Sequence, residues 1–199
     1  MKAIYNDMLD NIKNINKTQD ENLVDLELLV SSIKAEDAKN LRNTKSFYWI
    51  YIVLTLLYTG LLIVNPDPQI GLYTRIGGIF YVSAMISFAI LMKKGFKEFK
   101  NIDYSVPLYE MLSKVTSRYK LGAKNFLLVS IPVILLDIGL TISFYNDLLP
   151  MKPINRILVV QVFYIPIMII SALIGTWIWY KNQKPLRDKA LELIKELEN

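Results

Sequence analysis

Asp137 is the residue in this sequence whose type and position could do chemistry. It lies inside a run of twenty mostly apolar residues, 126–145, with no polar side chain after it until Thr141. Such a run is about the length a helix needs to cross roughly 30 Å of hydrocarbon. An ionisable group at that depth is costly, so a carboxyl there either carries protons or cations or clamps helices together. At helical spacing Ser130, Ile134, Asp137 and Thr141 share a face. An ionised Asp137 would seek Arg75, Gln161 or Tyr164 on neighbouring spans. A neutral one could donate to a backbone carbonyl, such as one freed near Pro132. Asp137, Arg75, Thr141 and Gln161 are therefore the intramembrane polar candidates.

Other chemistry has little to stand on. The chain has no cysteine and no histidine, which excludes disulfides, thiolate metal sites and the commonest general base. It holds no Walker A sequence, G-x-G-x-x-G, G-x-S-x-G or H-E-x-x-H. The carboxylates other than Asp137 are scattered among charged segments rather than paired. The expectation is a protein that is not an enzyme and uses no cofactor or metal.

The elements that must position Asp137 follow from composition. Apolar residues make up 53% and charged residues 21%, so the apolar ones must be gathered into blocks with the charges between them. Four blocks can be drawn. The first, Phe47–Val64, is ended by Asn65-Pro66-Asp67-Pro68, since two prolines cannot continue a helix. The second, Leu72–Met92, follows so soon that the two must form an antiparallel hairpin. Its Gly77, Gly78, Ser83, Ala84 and Ser87 let backbones approach closely, which predicts the most tightly packed span. The third contains Asp137 and a kink near Pro132. The fourth, Ile157–Tyr180, ends in an aromatic belt of Trp177, Trp179 and Tyr180. On the first span Tyr48, Tyr51, Thr55 and Tyr58 share a face, either as interfacial aromatics with a hydrogen-bonding seam or as a pore or ligand lining.

The predicted fold is all-α: an integral-membrane, four-span antiparallel helical bundle with cytoplasmic amphipathic helices. Its segments are an N-terminal helical region (1–46), a transmembrane hairpin (47–92), a basic helical loop (93–124), a second hairpin (125–180) and a C-terminal amphipathic helix (181–199). In the N-terminal region Ile4, Met8, Ile12 and Ile15 suggest a short helix, and Thr18-Gln19-Asp20-Glu21 reads as a capping box opening another. Behind it Leu23, Leu26, Val30 and Ile33 form an apolar stripe that needs a partner, either in this chain or another. In the loop, Leu108, Met111 or Leu112, Val115 and Tyr119 supply an apolar face. In the last helix Leu186, Ala190, Ile194 and Leu197 do so.

Orientation follows from the basic residues. Regions 1–46, 93–124 and 181–199 hold twenty of the 23 lysines and arginines, leaving Arg75, Lys152 and Arg156 elsewhere. That bias puts both termini and the middle loop in the cytoplasm of a bacterial inner membrane. Lys93, Lys94, Lys97 and Lys100 are expected to contact anionic lipid headgroups rather than nucleic acid.

Asn101-Ile102-Asp103-Tyr104-Ser105 with Pro107, and Trp179-Tyr180 followed by Lys184-Pro185-Leu186-Arg187, resemble patterns in a group of uncharacterised four-span inner-membrane proteins from Bacteroidota. The resemblance covers most of the chain as pattern. Some of those proteins look like neighbours of sigma-factor genes, so it implies a membrane-held regulator, and it carries over no functional site. The leading expectation is a non-enzymatic scaffold or regulator that binds a cytoplasmic protein, or a second copy, through its amphipathic helices. The alternative is a small channel or a proton- or cation-coupled transporter using Asp137.

Overall fold

The computed structural model describes the backbone of residues 2–68, 70–146, 148 and 150–198, with side chains for those outside 2–24 and 123–125. These residues form helices and turns, with no strand among them. The helices are α1 (Lys2–Tyr58), which ends in a π-helical turn at Thr59–Val64, α2 (Leu72–Lys100), α3 (Leu108–Arg118), α4 (Ala123–Phe144), α5 (Pro153–Asn182) and α6 (Lys184–Glu198). Four are long and apolar enough to cross a membrane: Asp25–Val64 within α1 and its π-turn, α2, Phe126–Phe144 within α4, and α5.

α1 differs from expectation in its continuity. It runs through Thr18–Glu21 without a break, so no helix starts there, and the capping side chains lie outside the described ones. Its 57 residues make one rod that enters the first span directly. At 1.5 Å per residue the rod is about 85 Å long. The π-turn is where the rod ends. Pro66 and Pro68 remove amide donors just beyond it. Arg75 supplies replacements, donating to the Ile63 carbonyl at 2.9 Å and the Asp67 carbonyl at 3.1 Å.

α1 and α2 run antiparallel. Leu62 lies against Gly78, the Tyr58 and Tyr81 rings are 6.0 Å apart, Tyr51 stacks on Phe88 at 5.0 Å, and Thr44 lies against Gly95. Tyr51 and Tyr58 of the tyrosine face are thus spent on packing against α2, whereas the Tyr48 ring meets Trp49 of its own helix. The Thr55 hydroxyl donates to the Tyr51 carbonyl of its own helix at 2.7 Å.

α2 packs extensively on both α1 and α4, as its small residues predict. Gly77, Gly78, Ala84 and Ala89 are buried. At the α2–α4 crossing, a Cβ on Gly77 would stand 2.7 Å from the Gly139 carbonyl oxygen. Only a residue without a side chain permits that approach. α5 packs more sparsely and against α4, so the spans stand in a row, α1–α2–α4–α5. Val162, Phe163, Ile167 and Leu173 are bulky and exposed, as suits helices whose solvent is hydrocarbon.

α3 and α6, which are not among the four long apolar helices, pack on the middle of α1, on the side of its apolar block 47–64 nearer the N-terminus. Leu29 and Ile33 of α1, Met111, Leu112 and Val115 of α3, Tyr119 and Ala190 of α6 form a buried core, flanked by Val30, Leu108, Leu186, Leu193 and Ile194. The three extramembrane regions grouped by their basic residues therefore meet on one side. The expected α3 face is fully used. On α6, Leu193 joins the core and Leu197 stays exposed.

Candidate functional site

The intramembrane candidate is built by α4 and α5. They are antiparallel, because Val133 faces Tyr164 while Tyr145 faces Arg156. This register brings Asp137 and Gln161 to one level. The Gln161 amide nitrogen donates to Asp137 Oδ1 at 2.6 Å and lies 3.4 Å from the Thr141 hydroxyl oxygen. One turn away the Tyr164 hydroxyl donates to the Val133 carbonyl at 2.5 Å. Asp137, Thr141 and Gln161 are half-buried and Tyr164 is buried. Three of the four expected residues thus come together. Arg75 does not. Tyr73 stacks near Tyr145, so Arg75 enters at the end of α4, about two turns from Asp137, where the carbonyls of the π-turn and the following loop hold it.

The cluster is a helix-to-helix clamp. The Gln161 amide keeps the carboxyl hydrogen-bonded without a formal counter-charge. Its remaining lone pairs give it the capacity to take a proton or a cation.

A second polar site lies in the extramembrane core, and the sequence reading missed it. Asp37 is 1% exposed. Its Oδ1 accepts the Tyr119 hydroxyl at 2.7 Å, and its Oδ2 accepts the Tyr104 hydroxyl at 2.9 Å and the Arg118 guanidinium. The carboxylate is charge-paired and bound by three donors, so it joins α1 to both ends of the 101–119 segment. Burial, followed by the neighbouring Asp37 charge, pushes the Tyr104 phenol up to about 12. Burial and the Asp37 hydrogen bond drive Tyr119 up as well.

Local structure aims these groups. The Ser105 amide and hydroxyl donate to Asp103 Oδ1 at 2.8 and 2.7 Å, which fixes the loop that presents Tyr104. Those bonds hold the exposed Asp103 carboxyl below its ordinary range. On the far side of Tyr119 the Trp179 indole donates to its backbone carbonyl at 2.9 Å, and Arg187 sits 5.4 Å from the Trp179 ring centre. The two short patterns that carried the family resemblance are thus parts of one connection from α1 through 101–119 to α5 and α6. Asp37 itself had a signal: it continues the 26–30–33 stripe at helical spacing, a charge at an apolar position.

The remaining expected residues are placed as follows. Val30 and Ile33 lie in the extramembrane core and Leu26 is half-buried, while the Leu23 side chain is outside the described ones. Val30 and Ile33 of the stripe are therefore partnered within this chain, in the core with α3 and α6, rather than left open. Lys93, Lys94, Lys97 and Lys100 are all exposed. Among the described residues no group of three or more acidic side chains converges in a way that could hold a metal ion. No protein-family model, curated protein or solved structure matches this chain.

Proposed function

We propose that this chain is a non-enzymatic, multi-pass protein of the bacterial inner membrane, with both termini in the cytoplasm, that serves as a scaffold or regulator for a cytoplasmic protein. The observation that carries the reading is the extramembrane core of α1, α3 and α6. It is continuous with the first span through α1 and tied to the fourth through Trp179. A module joined to two spans suits reception or display of a protein partner. Because Val30 and Ile33 are already covered, the partner surface is the outer side of the module, where Leu28 and Leu191 are exposed. A second copy is the other occupant for that surface. The excess of basic residues on this side supports the cytoplasmic orientation, and exposed Lys93, Lys94, Lys97 and Lys100 support contact with anionic headgroups.

The test has two parts. Cytoplasm-dependent reporters fused at the C-terminus and near Ser105 should be active, as should a periplasm-dependent reporter at Asp67. A periplasm-active fusion at the C-terminus would overturn the orientation. A photo-crosslinking residue at Leu28 or Leu191 should capture one protein in cells, and the adduct should disappear in Asp37→Ala. Cells that yield no adduct from either position would overturn the scaffold reading.

A second reading, a small channel or proton- or cation-coupled transporter, rests on the Asp137–Gln161 contact inside the spans.

A further inference from the structure

α4 and α5 touch from Val133–Tyr164 to Tyr145–Arg156 and part toward the extramembrane module. In the gap lies a cavity of about 580 Å³. Lys120, Phe126, Val129, Gly175, Thr176 and Trp179 line it. It lies beneath the Tyr119–Trp179 hydrogen bond, and its walls follow α5 from Trp179 back to Ala172. At 1.5 Å per residue that is about 10 Å into the span.

Three features define what fits. The volume lies within the roughly 300–1,000 Å³ of small-molecule sites. The walls are apolar, whereas the mouth is cationic. That charge is supplied by exposed Lys120, since Arg118, the other charged residue of the lining, is neutralised by Asp37, and no carboxylate lines the cavity. Finally, the floor is open. A Cβ built on Gly175 meets nothing within 4 Å, so no side chain of this protein fills the space above it.

A ligand matching this must have an anionic head at the level of the interfacial tryptophan and an apolar tail below it. We propose that the α4–α5 groove is a specific site for an anionic phospholipid, with its phosphate at Lys120 and one acyl chain against Phe126, Val129 and Gly175. The complementary charge at the mouth selects the headgroup, and the membrane-facing opening supplies the tail. A lipid seated there would lie against the Trp179 link between the spans and the module.

Trp179 lines the groove and reports on it. In a Trp49→Phe, Trp177→Phe background, Trp179 is the one remaining tryptophan of the chain. The full-length protein would be reconstituted in vesicles of phosphatidylcholine containing equal mole fractions of either brominated phosphatidylglycerol or brominated phosphatidylcholine. The expected result is several-fold stronger quenching of Trp179 by the anionic lipid. Lys120→Gln should abolish that preference. Gly175→Leu should as well, since a side chain rooted there enters the groove from a Cβ position clear of protein atoms and the change raises helix propensity. Equal quenching by the two lipids in the parent protein would overturn the proposal. So would a preference that survives both Lys120→Gln and Gly175→Leu. In this cysteine-free chain, a Gly175→Cys variant that forms disulfide-linked dimers in vesicles would assign the groove to a second copy instead.

Discussion

Asp37 and Asp137 are both carboxylates at helix–helix contacts, and they are held by opposite means. Asp37 lies buried beside the core of α1, α3 and α6, ahead of the apolar block 47–64, and is met by a guanidinium and two phenols. Asp137 lies in a span and is met by one amide, with a threonine hydroxyl at the edge of reach. Burying an ion pair is costly even when its geometry is good, and within hydrocarbon a lone cation must be carried there as well. Beside the module's core Arg118 satisfies its carboxylate while its guanidinium also lies 5.9 Å from the Tyr119 ring centre. Inside it, Arg75 stays at the end of α2 on backbone carbonyls, and a neutral glutamine serves Asp137. One carboxylate is saturated and structural. The other keeps spare capacity.

The largest effect is expected at Asp37. Asp37→Ala leaves Arg118 buried without its charge and two phenols without their acceptor, a loss of about 3–5 kcal/mol for a buried pair cut on one side. Protease protection of α3 and α6 should collapse while the spans stay inserted. The double variant Asp37→Leu, Arg118→Met should recover most of that protection, because apolar residues of similar volume can replace a buried pair. Failure of the double variant to recover would mean that the tyrosines, not the charge pair, dominate the site.

Much of this fold is legible in the sequence because hydrocarbon imposes strict rules. Residue 126–145 length, the prolines after Val64 and the glycines of α2 each have one inexpensive solution, and the spans follow them. Asp137 is conspicuous for the same reason, and Gln161 and Thr141 were reachable by spacing. Asp37 gave only a faint signal, its place four residues beyond Ile33 on the apolar stripe, because an aspartate among eight acidic residues in 1–46 otherwise looks like any solvated charge. Its partners lie 67 to 82 residues away, so only tertiary packing reveals them. Arg75 misled for the complementary reason. A cation near a span invites a carboxylate partner, yet the backbone carbonyls of Ile63 and Asp67 were closer.

A second break acts on the membrane side alone. A methyl group at Gly77 would meet Gly139 backbone oxygen at 2.7 Å and the Ser143 hydroxyl oxygen at 2.0 Å, and the backbone cannot turn away. Gly77→Ala should push α2 from α4 and cost about 1–3 kcal/mol, the usual range for overpacking. Unfolding in mixed micelles would measure it, with protease protection of α3 and α6 unchanged as the internal control. A neutral result would show that α4 moves freely on α2.

Alkaline titration sharpens the extramembrane half. Tyr104 rises to about 12 on folding, against an ordinary value of 10.0. A raised folded value means that the stabilising contribution is complete below pH 10 and is lost as pH climbs from 10 to 12. Phenolate absorbance should therefore show Tyr104 ionising late, identified by subtracting the Tyr104→Phe curve. Protection of α3 should fade over the same interval. If Tyr104 titrates with the exposed tyrosines near 10, its bond to Asp37 is absent in solution.

The smallest stability effect is expected at Asp137, where function is also most open to test. Side-chain hydrogen bonds between membrane helices average about 0.6 kcal/mol. Asp137→Asn keeps the shape and offers its oxygen to the Gln161 amide, so the variant should fold, insert and retain the module nearly as the parent does. What it loses is the ability to ionise. Under the scaffold reading, photo-crosslinks from Leu28 and Leu191 persist, and neither parent nor variant carries ions. Under the transport reading, a group that must bind and release a proton or cation is gone, and flux should collapse. The measurement is proton and cation flux into liposomes containing either protein, with aggregated material removed by size-exclusion chromatography. Parent flux that vanishes in Asp137→Asn would overturn the scaffold proposal and make the spare capacity of this carboxylate its working feature. Zero parent flux across pH and ion gradients leaves the Asp137–Gln161 contact as a clamp, and that is the expected outcome.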